Sequence, residues 1–336
     1  MKKTIALLMV ALMAIALLAG CGGTQQPQEE TPESVMTGLA VLNSVAKSAD
    51  AATDADGLAQ ADSLIVAVTV DSEGVITDCV IDQAQSKVNF NTAGELVTPL
   101  DATFKTKNEL GTEYGMNKAS TIGKEWNEQA EAFAQYVIGK TVAEVAGIAV
   151  SEGYAADADL LASVTVHITD FMAGVEKAVA NAAELGAAKG DMLSIATTTN
   201  ISKSKNAAEA EDGLAQVYST YVAMTQNAEG KITSCIFDGS QSNVNFDATG
   251  MITTDLSVAP RTKNELKEEY GMAKNSSIGK EWYEQAAGFA AYVTGKTVEE
   301  VSGIAISEGY AADADILAST TIHITDFIAL VEKAAQ

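Results

Sequence analysis

The chain repeats itself, and the repeat limits what it can fold into more than any other feature. Asp56-Gly57-Leu58-Ala59-Gln60 returns as Asp212-Gly213-Leu214-Ala215-Gln216, and Gly123-Lys124-Glu125-Trp126 returns as Gly279-Lys280-Glu281-Trp282. Ser151-Glu152-Gly153-Tyr154-Ala155-Ala156-Asp157 returns as the stretch from Ser307 to Asp313. The offset is constant, since 212 − 56 and 279 − 123 both give 156, and no gap is needed from about residue 44 to the C-terminus. Solenoid units repeat every ~20–50 residues, so a period this long marks each copy as a complete domain. The expected domains are 35–186 and 190–336. They meet at Leu185-Gly186-Ala187-Ala188-Lys189-Gly190, small residues with a helix-ending glycine.

Each copy carries the same order of predicted elements. Gly38 to Lys47, and Ser194 to Lys203 in the second copy, read as a strand. Ser63 to Asp71 places Leu64, Val66, Val68 and Val70 in alternation, the pattern of a half-buried strand. Glu73-Gly74 then turns tightly and Val75 to Asp82 returns, a hairpin; Val88-Asn89-Phe90-Asn91 is a candidate further strand. Gly123 to Ile138 sets Trp126, Ala130, Phe133, Ala134 and Val137 at the period of an amphipathic helix. Thr141 is placed to cap a short second helix. Leu161 to Ile168 alternates as a strand, and Thr169 to Ala183 is a last helix. The expected fold class is α+β: two tandem copies of a small antiparallel-sheet domain with packed helices.

The N-terminus sets the expected compartment. Lys2 and Lys3 precede an apolar run from Ile5 to Leu18, too short for a comfortable membrane span and followed by small residues, as in a cleavable export signal. The run ends Leu18-Ala19-Gly20-Cys21, which resembles the lipobox of bacterial lipoproteins. That resemblance implies a signal peptide over 1–20 and lipidation of Cys21. It also implies an anchor in membrane lipid at the extracytoplasmic face of the cell membrane, held by two or more buried chains. Residues 21–34, rich in Gly, Gln, Glu and Pro, read as a flexible tether. The formal charge of −24 argues against a nucleic-acid partner. Once Cys21 is lipidated only Cys79 and Cys235 remain, so export brings no disulfide framework. Each lies in a strand-like run and reads as a small buried hydrophobe, with a bridge between the copies or a redox role as alternatives.

Motifs for familiar chemistry are missing. No dinucleotide-binding glycine pattern, phosphate-loop lysine or Cys/His metal spacing occurs, and the two histidines, His167 and His323, are equivalents in the repeat. A catalytic triad or zinc site within one copy is therefore not expected. Ahead of the last helix stand Asp159-Leu160-Leu161-Ala162-Ser163-Val164-Thr165-Val166 and Asp315-Ile316-Leu317-Ala318-Ser319-Thr320-Thr321-Ile322. This segment resembles the acceptor motif of the FMN-binding domain family, in which an Asp lies six residues before a Thr. Thr-Lys-Asn-Glu-Leu, Glu-Tyr-Gly-Met and Ile-Gly-Lys-Glu-Trp resemble more narrowly the doubly flavinylated surface lipoproteins of Gram-positive flavin-based extracellular electron transfer.

The resemblance implies that a flavin transferase takes FMN from FAD and esterifies its phosphate to Thr165 and Thr321, two covalent FMN groups in all. Asp159 and Asp315 match the motif aspartates. Ser163-Val164 and Ser319-Thr320 replace the usual Gly-Ala, and His167 and His323 replace a second Thr; Thr320 puts a second hydroxyl beside the acceptor in the second copy. The resemblance further implies an electron-transfer protein rather than a self-contained enzyme. It would pass electrons from a membrane dehydrogenase or quinol to ferric iron or free flavin. From the residues themselves, the helix starting near Thr169 or Thr325 offers free N–H groups to a phosphate, and His167 and His323 share a strand face with the threonines as candidate donors. Met116, Met272, Trp126, Trp282, Tyr154 and Tyr310 are candidates for the ring pocket, although Trp126 lies on an apolar helix face that favours core packing. Ser120-Thr121 and Ser276-Ser277 are rival hydroxyls with a turn or cap role as the alternative. Lys107, Lys263, Lys124 and Lys280 are placed to meet a phosphate or to face solvent. Two other functions fit the same features: a non-covalent solute- or flavin-binding lipoprotein of an importer, and a structural or adhesive surface protein.

Overall fold

The computed structural model describes residues 32–336. The proposed signal peptide, Cys21 and nearly all of the proposed tether lie outside the described residues. In the first copy the elements are β1 (Met36–Ser44), β2 (Gly57–Val70), β3 (Ile76–Phe90), α1 (Lys107–Leu110), α2 (Trp126–Val137), α3 (Val142–Ala146), β4 (Val150–Ser151), β5 (Tyr154–Ala155), α4 (Ala158–Leu161) and α5 (Thr169–Ala180). The second copy repeats them as β6 (Met192–Asn200), β7 (Gly213–Gln226), β8 (Ile232–Phe246), α6 (Lys263–Leu266), α7 (Trp282–Val293), α8 (Val298–Ser302), β9 (Ile306–Ser307), β10 (Tyr310–Ala311), α9 (Ala314–Leu317) and α10 (Thr325–Ala334). Each copy builds a three-stranded antiparallel meander, β1-β2-β3 or β6-β7-β8, and the fold is α+β.

Local chemistry explains most of the elements. Asp71 closes the β2–β3 turn by accepting the N–H groups of Glu73 and Val75 on its carboxylate, with Gly74 at a φ of +79°. The long return strand runs unbroken to Phe90, so Val88-Asn89-Phe90 is its continuation and not a further strand. Thr106 with Glu109, and Thr141 with Glu144, form capping boxes at the starts of α1 and α3, and the second copy reproduces both. On α2 the buried face is Trp126, Gln129, Ala130, Phe133, Ala134 and Val137, packed on β3, while α5 packs on β1 and β2.

The central strand departs from the half-buried expectation. Leu64, Val66, Val68 and Val70 face the helices, as the alternation requires, but Ile65 and Ala67 between them are also fully buried. Their face meets the sheet of the other copy: Leu39, Val41, Ile65 and Ala67 pack with Leu193, Tyr221 and Ala223. Further along, Val88 and Phe90 pack with Val244 and Phe246, the two phenyl rings stacked 4.2 Å apart and 5° from parallel. The order of layers is helices, sheet, sheet, helices, and residues 33–336 form one compact unit.

Reciprocal contacts identify the relation between the copies as an internal two-fold. Lys177 pairs with Glu265 at 2.6 Å and its equivalent Lys333 pairs with Glu109 at 2.6 Å. Ala51 N–H donates to Gly250 O at 2.8 Å, and Ala207 N–H donates to Gly94 O at 2.7 Å. Each of these two contacts has its mirror, the signature of a self-complementary interface. At its centre Tyr221 is buried, and its hydroxyl donates to Ser63 Oγ at 3.0 Å across the interface. Cys79 and Cys235 are separately buried and unbridged, as small buried hydrophobes would be, and burial raises both thiols far above the ordinary value.

Candidate functional site

The segment from Leu161 to Ile168 is not a strand. Asp157 accepts the N–H groups of Asp159 and Leu160 on its side chain and starts α4, which runs through Leu161. After it the chain is irregular up to α5, and its backbone groups find partners other than a neighbouring strand. Thr165 N–H donates to the side chain of Gln129, and Ile168 N–H donates to Gly153 O in the β4–β5 hairpin. The apparent alternation arises because Val164 and Ile168 turn into the core as loop anchors. The idea that His167 and Thr165 share a strand face falls with the strand.

Thr165 is instead held by one buried side chain. Gln129 Oε1 accepts from Thr165 N at 2.7 Å and from Thr165 Oγ1 at 3.1 Å. The amide orientation is fixed because a backbone N–H can only donate, so the oxygen must face Thr165. Gln129 Nε2 then donates to Lys124 O at 3.1 Å and to Ser120 Oγ at 3.2 Å. The second copy repeats the arrangement: Gln285 Oε1 accepts from Thr321 N at 2.8 Å and Oγ1 at 3.0 Å, and its Nε2 donates to Lys280 O and Ser276 Oγ. Both glutamines have no exposed surface. The threonine hydrogen is thereby directed inward, leaving the oxygen lone pairs to the half-buried outer side. Gln129 and Gln285 were not among the residues the sequence singled out. The available signal was a polar residue on an otherwise apolar helix face, at the same place in both copies.

The neighbouring hydroxyls are otherwise engaged. Ser163 and Ser319 donate to Leu160 O and Ile316 O one turn back. Thr320, the extra hydroxyl of the second copy, is fully buried and donates to Gln285 O at 2.9 Å, which leaves Thr321 as the accessible oxygen. Ser120 and Ser276 support the glutamine amides from turns rather than capping α2 and α7, whose N-caps are Glu125 and Glu281. Asp159 and Asp315 are exposed on α4 and α9, where Asp157 and Asp313 do the capping.

Around Thr321 lies a cavity of about 550 Å³ that brings together His323, Met272, Trp282, Tyr310, Tyr270 and Lys263. This size falls within the ~300–1,000 Å³ usual for small-molecule and cofactor sites. His323 stands edge-on to Tyr310 with ring centres 4.1 Å apart, and the imidazole covers Gly309, whose φ of +88° and lack of a Cβ allow the contact. His167, Tyr154 and Gly153 repeat this, and both histidines are exposed. Trp282 is buried, as is Trp126, and each packs edge-on against a phenylalanine of the last helix. Trp282 is thus core and cavity wall together. Met116 and Met272 pack on the edge of their cores, and each donates its N–H to the helix-capping glutamate.

Lys107 and Lys263 are buried rather than solvated. Lys263 Nζ lies 4.5 Å from the ring centres of both Trp282 and Tyr218 and donates to the Tyr218 hydroxyl at 3.0 Å. Lys107 Nζ lies 4.6 Å from the Trp126 ring centre and donates to Gln83 Oε1 at 2.7 Å. Burial pushes both ammonium groups down to about 8, against the pull of nearby aspartates. In the first copy, Thr165 borders a depression of about 520 Å³ with Ile122, Tyr154 and Leu161. Helices α5 and α10 start four residues after Thr165 and Thr321, and neither has a side-chain cap on its first turn. Among the described residues no group of His, Cys, Asp and Glu is arranged to hold a metal, and no helix is long and apolar enough to cross a membrane. No protein-family model, no curated protein and no solved structure matches the chain.

Proposed function

We propose that the protein is an electron carrier with one FMN joined through its phosphate to Thr165 and a second to Thr321, anchored by Cys21 at the extracytoplasmic face of the membrane. The observation that carries this reading is the doubled acceptor arrangement. In each copy one half-buried threonine hydroxyl is oriented by a buried glutamine, and in the second copy a buried lysine and aromatic walls line the same cavity. In attachment, Thr Oγ1 would attack the FMN phosphorus of FAD, the bond to AMP would break, and the hydroxyl proton would pass to the transferase. Gln129 and Gln285 hold the oxygen in place for that attack. They cannot take the proton, since an amide is not a base at neutral pH.

The lining fits such a group. The phosphoester is an anion, and the uncapped first turns of α5 and α10 present N–H groups with a favourable dipole. Tyr310, Tyr270 and Trp282 supply apolar and aromatic surface for a planar ring, and Lys263 supplies a cation on the cavity wall. When bound, the flavin would supply one- and two-electron chemistry; the chain's part is to hold the ring and set its environment. A covalent bond keeps the cofactor on an exported protein that would otherwise lose it by diffusion. Electrons would come from a membrane dehydrogenase or quinol and leave to ferric iron or free flavin. Protein produced together with a flavin transferase should stay yellow through denaturation and gel filtration. Colour that washes out under denaturant would mean reversible binding and would refute the ester.

A further inference from the structure

The two sites are not electrostatically equal. Position 62 in β2 is Asp, and its equivalent in β7 is Tyr218. Tyr218 lines the cavity beside Thr321, and burial pushes its phenol up to about 12, so it is neutral. Lys263 there is fixed by that phenol and by aromatic faces, and among the described residues no carboxylate pairs with it. In the first copy Asp62 is buried beside Lys107, which feels its charge. Gln60 Nε2 reaches both Asp62 oxygens at 2.9 and 3.1 Å, and Lys47 pairs with it at 2.8 Å. The other buried or cavity-lining charged residues have equivalents in both copies: Lys47 and Lys203, Lys107 and Lys263, Asp82 and Asp238, Glu125 and Glu281, Asp170 and Asp326; the exposed Lys87, opposite Gln60 on the neighbouring strand, is Asn243 in the second copy. The second site therefore lacks one buried carboxylate, while Lys87 faces solvent, where its charge is screened.

Resting on the reading that Thr165 and Thr321 carry flavin, we propose that Asp62 and Tyr218 set the two flavins at different midpoint potentials, the flavin on Thr321 being the higher. Reduction adds negative charge to the ring at neutral pH. A buried lysine favours the reduced form; Asp238 and Asp326 near Lys263 have equivalents in the first copy, and there the additional buried carboxylate of Asp62 opposes the effect of Lys107. Reducing equivalents shared by the two sites then collect on the second copy. The exchange needs no third reactant, because the two electrons and one proton that leave one flavin, reduced as the hydroquinone anion, arrive on the other.

The test uses the full chain flavinylated by a transferase, as Thr165→Ala and Thr321→Ala proteins that each keep one site, titrated spectroelectrochemically. The protein keeping Thr321 should titrate higher, by at least ~10-fold in the equilibrium constant between sites, or ~30 mV for a two-electron couple. Asp62→Asn, which keeps the size of the side chain, and Asp62→Tyr should each raise the potential of the flavin on Thr165. Tyr218→Asp should lower that of the flavin on Thr321. Equal potentials, a reversed order, or no movement on changing Asp62 in flavin-loaded protein would overturn the inference alone. Absence of flavin mass from both single-site proteins would overturn the flavin reading as well.

Discussion

Phe246→Ala tests whether the repeats form one body. Phe246 is fully buried where the two sheets meet, and its ring stacks on Phe90 at 4.2 Å. Each phenylalanine also covers a glycine of its own copy: a Cβ on Gly213 would stand 2.4 Å from the Phe246 ring, and one on Gly57 2.3 Å from the Phe90 ring. The backbone is thus built around the rings and has little freedom to collapse into the space left by alanine. Truncating a core phenylalanine costs about 3–5 kcal/mol, of which the aromatic pair accounts for about 0.5–1.5 kcal/mol. For a chain of this size that lowers Tm by about 5–8 °C. Scanning calorimetry should show one transition in the parent protein and one, shifted as a whole, in the variant. The double variant with Phe90→Ala should lose less than the sum of the singles, by about the pair energy. Two separate transitions, only one of them moved, would refute the face-to-face packing.

Gln129→Leu and Gln285→Leu should each cut flavin loading at their own threonine and leave the other copy loaded, as read from intact mass after co-expression with the transferase. Equal loading in the variants would show that the glutamine does not orient the acceptor. Asp238→Asn should flatten the dependence of stability on pH. Burial pushes the Asp238 carboxyl up to about 6 in the fold, against hydrogen bonds from Asn264 and Gly239 that favour the charge. A raised carboxyl contributes stability that is complete below its unfolded value of ~3.9 and is lost as pH rises through about 6, about 2–3 kcal/mol in all. The parent should therefore lose more Tm than the variant between pH 4 and pH 7, roughly the window between those two values. Parallel Tm curves would contradict this.

Much of the local structure is written in local chemistry. The repeat, the Asp71 hairpin, the Thr141 cap and the α2 face depend on residues within a few positions of one another, and each could be read from spacing. The packing of the copies could not. Ile65 and Ala67 look like ordinary strand residues, and only the three-dimensional arrangement gives their face a partner. The same limit applied at the candidate site. Val164, Val166 and Ile168 alternate as a strand would, yet Asp157 starts a helix just before them and Gln129, 36 residues upstream, takes the Thr165 N–H. Lys107 sits in a capping motif that gives no hint of its burial, because Trp126 and Gln83, which enclose it, come from other elements. Thr320 shows the converse. Its hydroxyl looked like a rival acceptor in sequence, and its burial against Gln285 O removes it from competition.

The central claim is the bond to Thr165 and Thr321. The most direct measurement is peptide mapping by mass spectrometry of the chain made with a flavin transferase. Proteolytic peptides containing Thr165 and Thr321 should each carry one FMN linked as a phosphoester, and Thr165→Ala and Thr321→Ala should each remove only their own. Unmodified peptides at both threonines in the presence of an active transferase, or FMN found on Ser163, Ser319 or Thr320 instead, would contradict the account.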